Sequence, residues 1–207
     1  MGTETTTRPI IFSGEMVQAI LGGRKTQTRR VWKKPRGHTN HDVYPRYIGG
    51  RFELSSNGFC IGESINCPYG KIGDRLWVRE KHNIECPYPA EEKCGHPDHV
   101  YYWATEEPVV RESFSTPWRP SIFMPRWASR ITLEITGVRV ERVQDITPKD
   151  AKSEGVPAPQ SEVALGLPDQ YALHRFKHLW DSINAKRGYG WDANPWVWVV
   201  EFQRQGE

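Results

Sequence analysis

Long apolar runs are missing from this chain of 207 residues. No segment approaches the roughly 20 apolar residues that a helix needs to cross a bilayer. The first residues, Met-Gly-Thr-Glu-Thr-Thr-Thr, also lack the apolar core of a signal peptide. We therefore expect a soluble, cytoplasmic protein with no membrane partner. Cysteine is scarce too, and we expect the 4 cysteines to remain reduced in that compartment.

Acidic residues are absent from one strongly basic segment. Residues 24–36 contain seven lysines and arginines and no aspartate or glutamate, although the net charge of the whole chain is only +3. This balance is compatible with nucleic-acid contact and does not establish it. Aromatic residues reach 12%, with nine tryptophans, which is too aromatic for a disordered chain. The length fits one domain over residues 1–207.

Hydrophobic periodicity predicts an α+β fold. Strands follow strands directly, which disfavours a parallel βαβ repeat. A small mixed sheet or β-barrel with about three flanking helices fits best. Two stretches, at about 33–72 and 83–125, show little periodicity and are predicted to be irregular insertions. The expected strands lie at 8–12, 25–32, 51–54 (a weak signal within the first insertion), 73–80, 100–104, 130–143 (split into two by Gly137) and 196–202. The expected helices lie at 14–21, 145–155 and 171–183.

The basic segment has a pattern that points to a ligand site. It reads Gly22-Gly-Arg-Lys-Thr-Gln-Thr-Arg-Arg30. Side chains alternate along a strand, so Thr28 and Arg30 face the same way, and Lys25 lies in the preceding turn. An amine, a hydroxyl and a fixed cation at one place suit an anionic or carbonyl-bearing ligand. Alternatively, Lys25 is an ordinary surface lysine, and Thr28 is a strand residue with high β propensity and no role in binding.

A cysteine- and histidine-rich segment is the candidate metal site. Cys86, Cys94, His96 and His99 are four soft ligands within fourteen residues and could hold a structural zinc. A second possible set joins Cys60 and Cys67 to Cys86 and Cys94. Neither set has the two-residue spacing of a typical zinc knuckle, so a reduced loop without metal is the other interpretation.

Several motifs together resemble the ASCH domain, a member of the PUA-like superfamily of small β-barrels. They run almost from end to end of the chain, and the whole resembles long phage and prophage versions of the domain. They comprise residues 16–30, Gly73-Asp-Arg-Leu-Trp-Val-Arg-Glu80, the predicted hairpin 131–143, Asp150-Ala-Lys-Ser-Glu-Gly155 and 196–202. The resemblance implies a PUA-like barrel for this chain.

One branch of that family is an amidohydrolase that deacetylates 4-acetylcytidine with a lysine, a threonine and a glutamate. By the motif match these residues fall on Lys25, Thr28 and Glu154. The resemblance therefore implies hydrolysis of an acylated pyrimidine nucleoside or related modified base, with no cofactor for catalysis. Glu154, near a helix end, could equally be a solvated surface residue. The expected substrate-binding residues are Arg24, Thr26, Arg30, Trp32 and Trp77.

The insertions favour a different class of function. Trp118, Arg119, Arg126 and Trp127 alternate aromatic rings with cations, a mixture that binds single-stranded RNA or DNA. The alternative function is thus a non-catalytic module that binds RNA or a modified nucleotide, and a ribonuclease is a weaker third possibility. Each tryptophan could equally belong to the core of an aromatic-rich barrel.

Overall fold

The secondary structure is α+β, as the sequence predicts. The computed structural model describes residues 5–34, 43–56, 59–85, 99–114, 116–156 and 168–206. In this part of the chain the strands are β1 (Thr7–Ile11), β2 (Gln27–Val31), β3 (Val43–Ile48), β4 (Arg51–Ser56), β5 (Phe59–Ile65), β6 (Arg75–Arg79), β7 (His82–Glu85), β8 (His99–Tyr102), β9 (Thr132–Arg142) and β10 (Trp196–Arg204). The α-helices are α1 (Gly14–Leu21), α2 (Pro108–Ser113), α3 (Pro148–Ser153) and α4 (Pro168–Asn184).

A five-stranded sheet forms the centre of the molecule. Its strand order is β1-β6-β9-β10-β2, with β1 parallel to β6 and the other neighbours antiparallel. Two smaller antiparallel sheets comprise β3-β4-β5 and β7-β8. Within the described residues the central sheet is open, because its edge strands β1 and β2 do not pair with each other. A closed barrel therefore stays a prediction.

The central sheet is buried on both faces, which the alternation along β10 explains. Val197 and Val199 belong to one core cluster, with Phe176 and Trp180 of α4. Trp198, Val200 and Phe202 belong to the other, with Val17 of α1 and Phe52 of β4 packed against it. Successive strand residues point to opposite faces, so each face buries its own apolar set. Helices α3 and α4 cover one face, and α1 covers part of the other.

Local sequence sets the ends of the helices next to the site. Helix α1 runs over Gly14–Leu21, the segment that periodicity predicts, and buries Val17, Ala19 and Ile20. Helix α3 begins after Thr147, whose hydroxyl accepts a hydrogen bond from the Asp150 backbone N–H at 3.1 Å. Pro148 occupies the first helical position, where its missing N–H has no cost. The chain turns after each of these helices, at Gly23 (φ 70°) beside the basic motif and at Gly155 (φ 84°) beside Glu154.

Within the predicted insertion at 33–72, the weak strand signal at 51–54 is confirmed by β4, but the prediction that the rest is irregular is wrong for the described residues of β3 and β5. Strands β3, β4 and β5 pair there as an antiparallel sheet. This sheet packs onto the central one through the Phe52 ring, which meets the Trp198 ring edge-on with ring centres 4.8 Å apart. The sequence hides the third strand because β5 is exposed along nearly its whole length and carries no buried alternation.

Two further predictions need correction. The segment 131–143 is one continuous strand, β9, and not a hairpin broken at Gly137. The insertion at 83–125 contains the strand predicted at 100–104, which is β8, together with its unpredicted partner β7 and a fourth helix, α2. Residues 86–98 and 115 of this insertion lie outside the described residues. No described helix is both long enough and apolar enough to cross a membrane.

Candidate active-site cavity

A cavity of about 920 Å³ opens between β2 and α4. Its lining includes Lys25, Thr28, Arg30 and Glu154, so the structure brings together four residues that the sequence motifs single out. Lys25 and Glu154 are 129 positions apart in the chain. Aromatic side chains from other elements complete the lining: Phe12, Tyr69, Phe176, Trp180 and Tyr189. The cavity thus combines an amine, a hydroxyl, a carboxylate and flat apolar surfaces.

Close backbone approach places Lys25 beside Glu154. The two residues form an isolated antiparallel β-bridge where the chain leaves α1 and α3. Gly155 follows with φ +84°, and a Cβ at that position would lie 2.9 Å from the Cβ atoms of both Ala19 and Lys25. Such contacts are far too short for carbon atoms. Glycine is therefore required at 155, both for the positive φ and for the tight packing of the α3 end against the basic motif.

The Lys25 side chain is buried and fully hydrogen-bonded. Its Nζ donates to Glu154 Oε2 at 2.9 Å, to the Glu154 backbone oxygen at 2.7 Å and to the Gln27 backbone oxygen at 2.9 Å. Lys25 and Glu154 are each only 4% exposed. Burial lowers the pKa of Lys25 because water no longer solvates the ammonium, and the nearby cations Arg30 and Arg29 lower it further; Glu154 opposes this shift.

Arg29 links the same carboxylate to a larger ionic network. Its Nη1 donates to Glu154 Oε1 at 3.1 Å, while its Nη2 contacts Glu141 of β9 and Asp150 of α3. Arg139 also contacts Glu141 and Asp150, which extends the network across the sheet. Glu154 is therefore held by two cations, one on each carboxylate oxygen, and its orientation toward the cavity is fixed.

Thr28 and Arg30 extend from the same strand into the cavity. Thr28 is 4% exposed, and no described residue forms a hydrogen bond with its hydroxyl. Arg30 donates through Nη2 to the Ile11 backbone oxygen at 2.7 Å and lies 5.2 Å from the centre of the Phe12 ring. Its buried Nε has no hydrogen-bond partner among the described residues. Both side chains thus retain hydrogen-bonding capacity for a ligand.

The other predicted substrate-binding residues lie elsewhere. Arg24 and Thr26 are exposed, and Arg24 lines a separate cavity between α1 and α4. Trp32 lines an adjacent cavity that shares Lys33 and Tyr69 with the main one. Trp77 is buried on β6, where Arg79 and Arg126 contact its ring. Only Arg30 of the five lines the cavity that contains Lys25.

Sequence reasoning missed several residues that shape the cavity. Arg29 belongs to the basic motif, but the local sequence does not show that it binds Glu154, because this contact joins residues 125 positions apart. Tyr69 lies in the stretch that was predicted to be irregular, and no pattern marks it. Phe176 and Trp180 were recognisable as the apolar face of a helix, but the sequence does not show which surface that face covers.

The candidate zinc ligands are mostly outside the described residues: Cys86, Cys94 and His96 lie there. His99 is exposed at the start of β8, with its ring centre 4.6 Å from that of Tyr101. Cys60 is exposed, and Cys67 is buried in the core. In the described part of the chain, no group of three or more histidine, cysteine or acidic side chains could hold a metal ion.

Comparison with known proteins returns no match to a family model, to a curated protein or to a solved structure. Amide hydrolysis needs a nucleophile, a base to activate it and an acid for the leaving amine. A hydroxyl, an amine and a carboxylate that line one cavity match those needs.

Proposed function

We propose that the cavity hydrolyses the exocyclic amide of an acylated pyrimidine nucleoside of the 4-acetylcytidine type. We also propose that the chain is a long ASCH-type, PUA-like protein. The observation that supports this most is the buried contact between Lys25 and Glu154, at 2.9 Å, in the same cavity as Thr28. The resemblance selects these three residue types, and the fold gathers them from two distant segments.

The ion pair provides a base and an acid through one proton transfer. Moving a proton from Lys25 Nζ to Glu154 Oε2, along their hydrogen bond, leaves a neutral amine and a carboxylic acid. Burial favours the neutral amine because it penalises the charge of Lys25 and lowers the pKa of that side chain. The neutral amine is then the general base and the carboxylic acid is the proton donor.

The reaction proceeds through a tetrahedral intermediate. Thr28 Oγ1 bonds to the amide carbonyl carbon while its proton passes to the Lys25 amine, and Arg30 stabilises the oxyanion that forms. Glu154 gives its proton to the exocyclic nitrogen, the C–N bond breaks, and the amine product leaves. Water then attacks the acyl-threonine ester and releases the carboxylic acid. A second route uses water in place of Thr28, with the same proton transfers and no acyl-enzyme.

Phe12, Tyr69 and Trp180 supply flat apolar surfaces around these polar groups. A pyrimidine ring packs well against aromatic side chains, and such contacts orient a ligand without fixing its substituents. The aromatic lining therefore supports a modified base as the ligand.

One observation favours the second candidate, a non-catalytic module that binds RNA or a modified nucleotide. Lys25 already donates to three acceptors, an arrangement that also suits a permanent structural ion. In that case Thr28 and Arg30 recognise the ligand while Lys25 and Glu154 only hold the cavity in shape. The two functions differ in whether the bound ligand is consumed.

The test is incubation of the purified chain with 4-acetylcytidine and separation of the products by chromatography. We expect release of cytidine and acetate. Thr28→Val removes the hydroxyl at nearly constant volume and should lower kcat/KM by about a hundredfold or more if Thr28 is the nucleophile. Thr28→Ser retains the hydroxyl and serves as the matched control. Mass spectrometry of quenched reactions shows whether an acetyl group is attached to Thr28.

The outcomes separate the candidates. No cytidine release by the wild-type chain would exclude this substrate, and binding without turnover, measured by calorimetry, would favour the binding module. Wild-type rates in Thr28→Val, with no acetylated enzyme, would assign the attack to water. Unchanged rates in both Lys25→Met and Glu154→Gln would remove the proposed mechanism altogether.

A further inference from the structure

The cavity carries far more positive charge than the chemistry of a neutral nucleoside requires. Lys25, Arg29, Arg30, Lys33 and Arg187 line it, and Glu154 is the one acidic residue in the lining. Glu154 already binds Lys25 and Arg29. Three cations are therefore left over: Arg30, close to the proposed reaction centre, and Lys33 and Arg187, which are exposed.

Lys33 and Arg187 lack a carboxylate partner among the described residues. Neither takes part in an ion pair there, whereas Lys152 and Lys177 each contact an aspartate. Lys33 follows the end of β2, and Arg187 ends a short 3-10 turn after α4. The two residues come from different elements that line the same cavity.

We propose that Lys33 and Arg187 bind a phosphate group of the substrate, which makes the natural substrate a nucleoside monophosphate. This inference rests on the proposed function for the identity of the base. The cavity volume of about 920 Å³ lies near the upper end of the range for small-molecule sites, which leaves space for a sugar and a phosphate beside the base. Arginine and lysine are the side chains that proteins use to bind phosphate.

Binding and turnover test this inference separately. Calorimetry compares cytidine with cytidine 5′-monophosphate, and kinetics compares 4-acetylcytidine with its 5′-monophosphate. We expect the phosphate to improve affinity and kcat/KM by about tenfold or more, the gain from one or two charge-assisted contacts. The double variant Lys33→Gln/Arg187→Gln should lose this preference. Lys186→Gln is the matched control, because Lys186 is an exposed neighbour outside the cavity lining.

The results distinguish the two proposals. Equal affinity for cytidine and its monophosphate, or equal loss in Lys186→Gln and the double variant, would overturn the phosphate site even if both substrates are hydrolysed. Phosphate-dependent binding without hydrolysis of either compound would overturn the hydrolase and retain the phosphate site. A short cytidine oligonucleotide that binds more tightly than the monophosphate would replace the mononucleotide with a nucleic-acid strand.

Discussion

Glu154 is a single buried carboxylate that forms ion pairs with two buried cations. It is 4% exposed and serves as counter-ion to both Lys25 and Arg29, which are themselves buried. Removing charged groups from water costs several kcal/mol, so a buried ion pair adds little net stability over an apolar pair. Stability alone therefore does not account for such a cluster beside an open cavity.

At the residue scale, the buried pair should show strong energetic coupling. Glu154→Gln leaves Lys25 and Arg29 without their shared carboxylate and should lower the free energy of unfolding by about 3–5 kcal/mol. The double variant Lys25→Met/Glu154→Gln removes both charges, so its loss should be smaller than the sum of the single losses by about 1–3 kcal/mol. Urea denaturation of the four proteins measures this difference.

The exposed pair Lys152–Asp169 is the control for that cycle. Its side chains are 44% and 64% exposed, and water screens their interaction. The equivalent cycle should give a coupling energy between zero and about 1 kcal/mol. Equal coupling energies in the two cycles would show that burial adds nothing to the Lys25–Glu154 contact.

The sequence could locate individual site residues but not their partners. Lys25 and Thr28 lie within one short motif, whereas only the resemblance to the ASCH domain singles out Glu154. The contacts of Arg29 with Glu141 and Asp150 span more than a hundred residues, at separations of 112 and 121. Nothing in the local sequence of β2 specifies such partners, because they depend on the order of strands in the sheet.

At the scale of elements, the sequence predicts an element well where its signals are local, and poorly where the element depends on contacts with distant strands. Helix α1 has the predicted bounds because its apolar face and the glycines after it are both local. The sequence predicts two strands separated at Gly137, because glycine commonly ends a strand, whereas β9 continues through this position. A Cβ at that position would lie 2.5 Å from Glu201 Oε2, beside an irregularity in the β9–β10 register. Gly137 therefore leaves room for the Glu201 side chain of β10 and does not end β9.

Asp74 connects two elements of the central sheet and gives the fold a pH dependence. Its carboxylate accepts hydrogen bonds from Thr6 N at 3.0 Å, Lys71 N at 3.1 Å and Arg8 Nη1 at 2.9 Å, which joins the start of β1 to the turn before β6. Burial alone would raise the pKa of Asp74. These hydrogen bonds outweigh it and hold the pKa well below its ordinary value.

This lowered pKa predicts loss of stability in acid. The charged carboxylate stabilises the fold above the unfolded-state pKa of about 3.9, and that contribution disappears as the pH falls below it. Asp74→Asn should therefore cost about 2 kcal/mol near neutral pH and flatten the dependence of unfolding free energy on pH between about 5 and 2. Urea titrations across this range test it, with the exposed Asp192→Asn as control. Parallel curves for wild type and Asp74→Asn would contradict the assignment.

At the scale of the whole molecule, two aromatic contacts join the β3-β4-β5 sheet to the central one. Phe52 meets Trp198 edge-on, and Tyr44 stacks on Trp196 with ring centres 5.4 Å apart. Both tryptophans belong to β10, which lies next to β2 and its catalytic candidates. The stretch that lacks periodicity in the sequence is thus part of the core, and its unfolding should be coupled to that of the central sheet.

We therefore expect residues 1–207 to unfold as one cooperative unit. In urea, the transitions followed by tryptophan fluorescence and by far-ultraviolet circular dichroism should coincide, because the two sheets share a core. Phe52→Ala should lower the free energy of unfolding by about 2–3 kcal/mol and shift both transitions together. Phe59→Ala, on the same small sheet but 77% exposed, should change it by less than about 0.5 kcal/mol. Two separate transitions in the wild-type chain, or a Phe52→Ala effect confined to one signal, would mean that the small sheet is an independent unit.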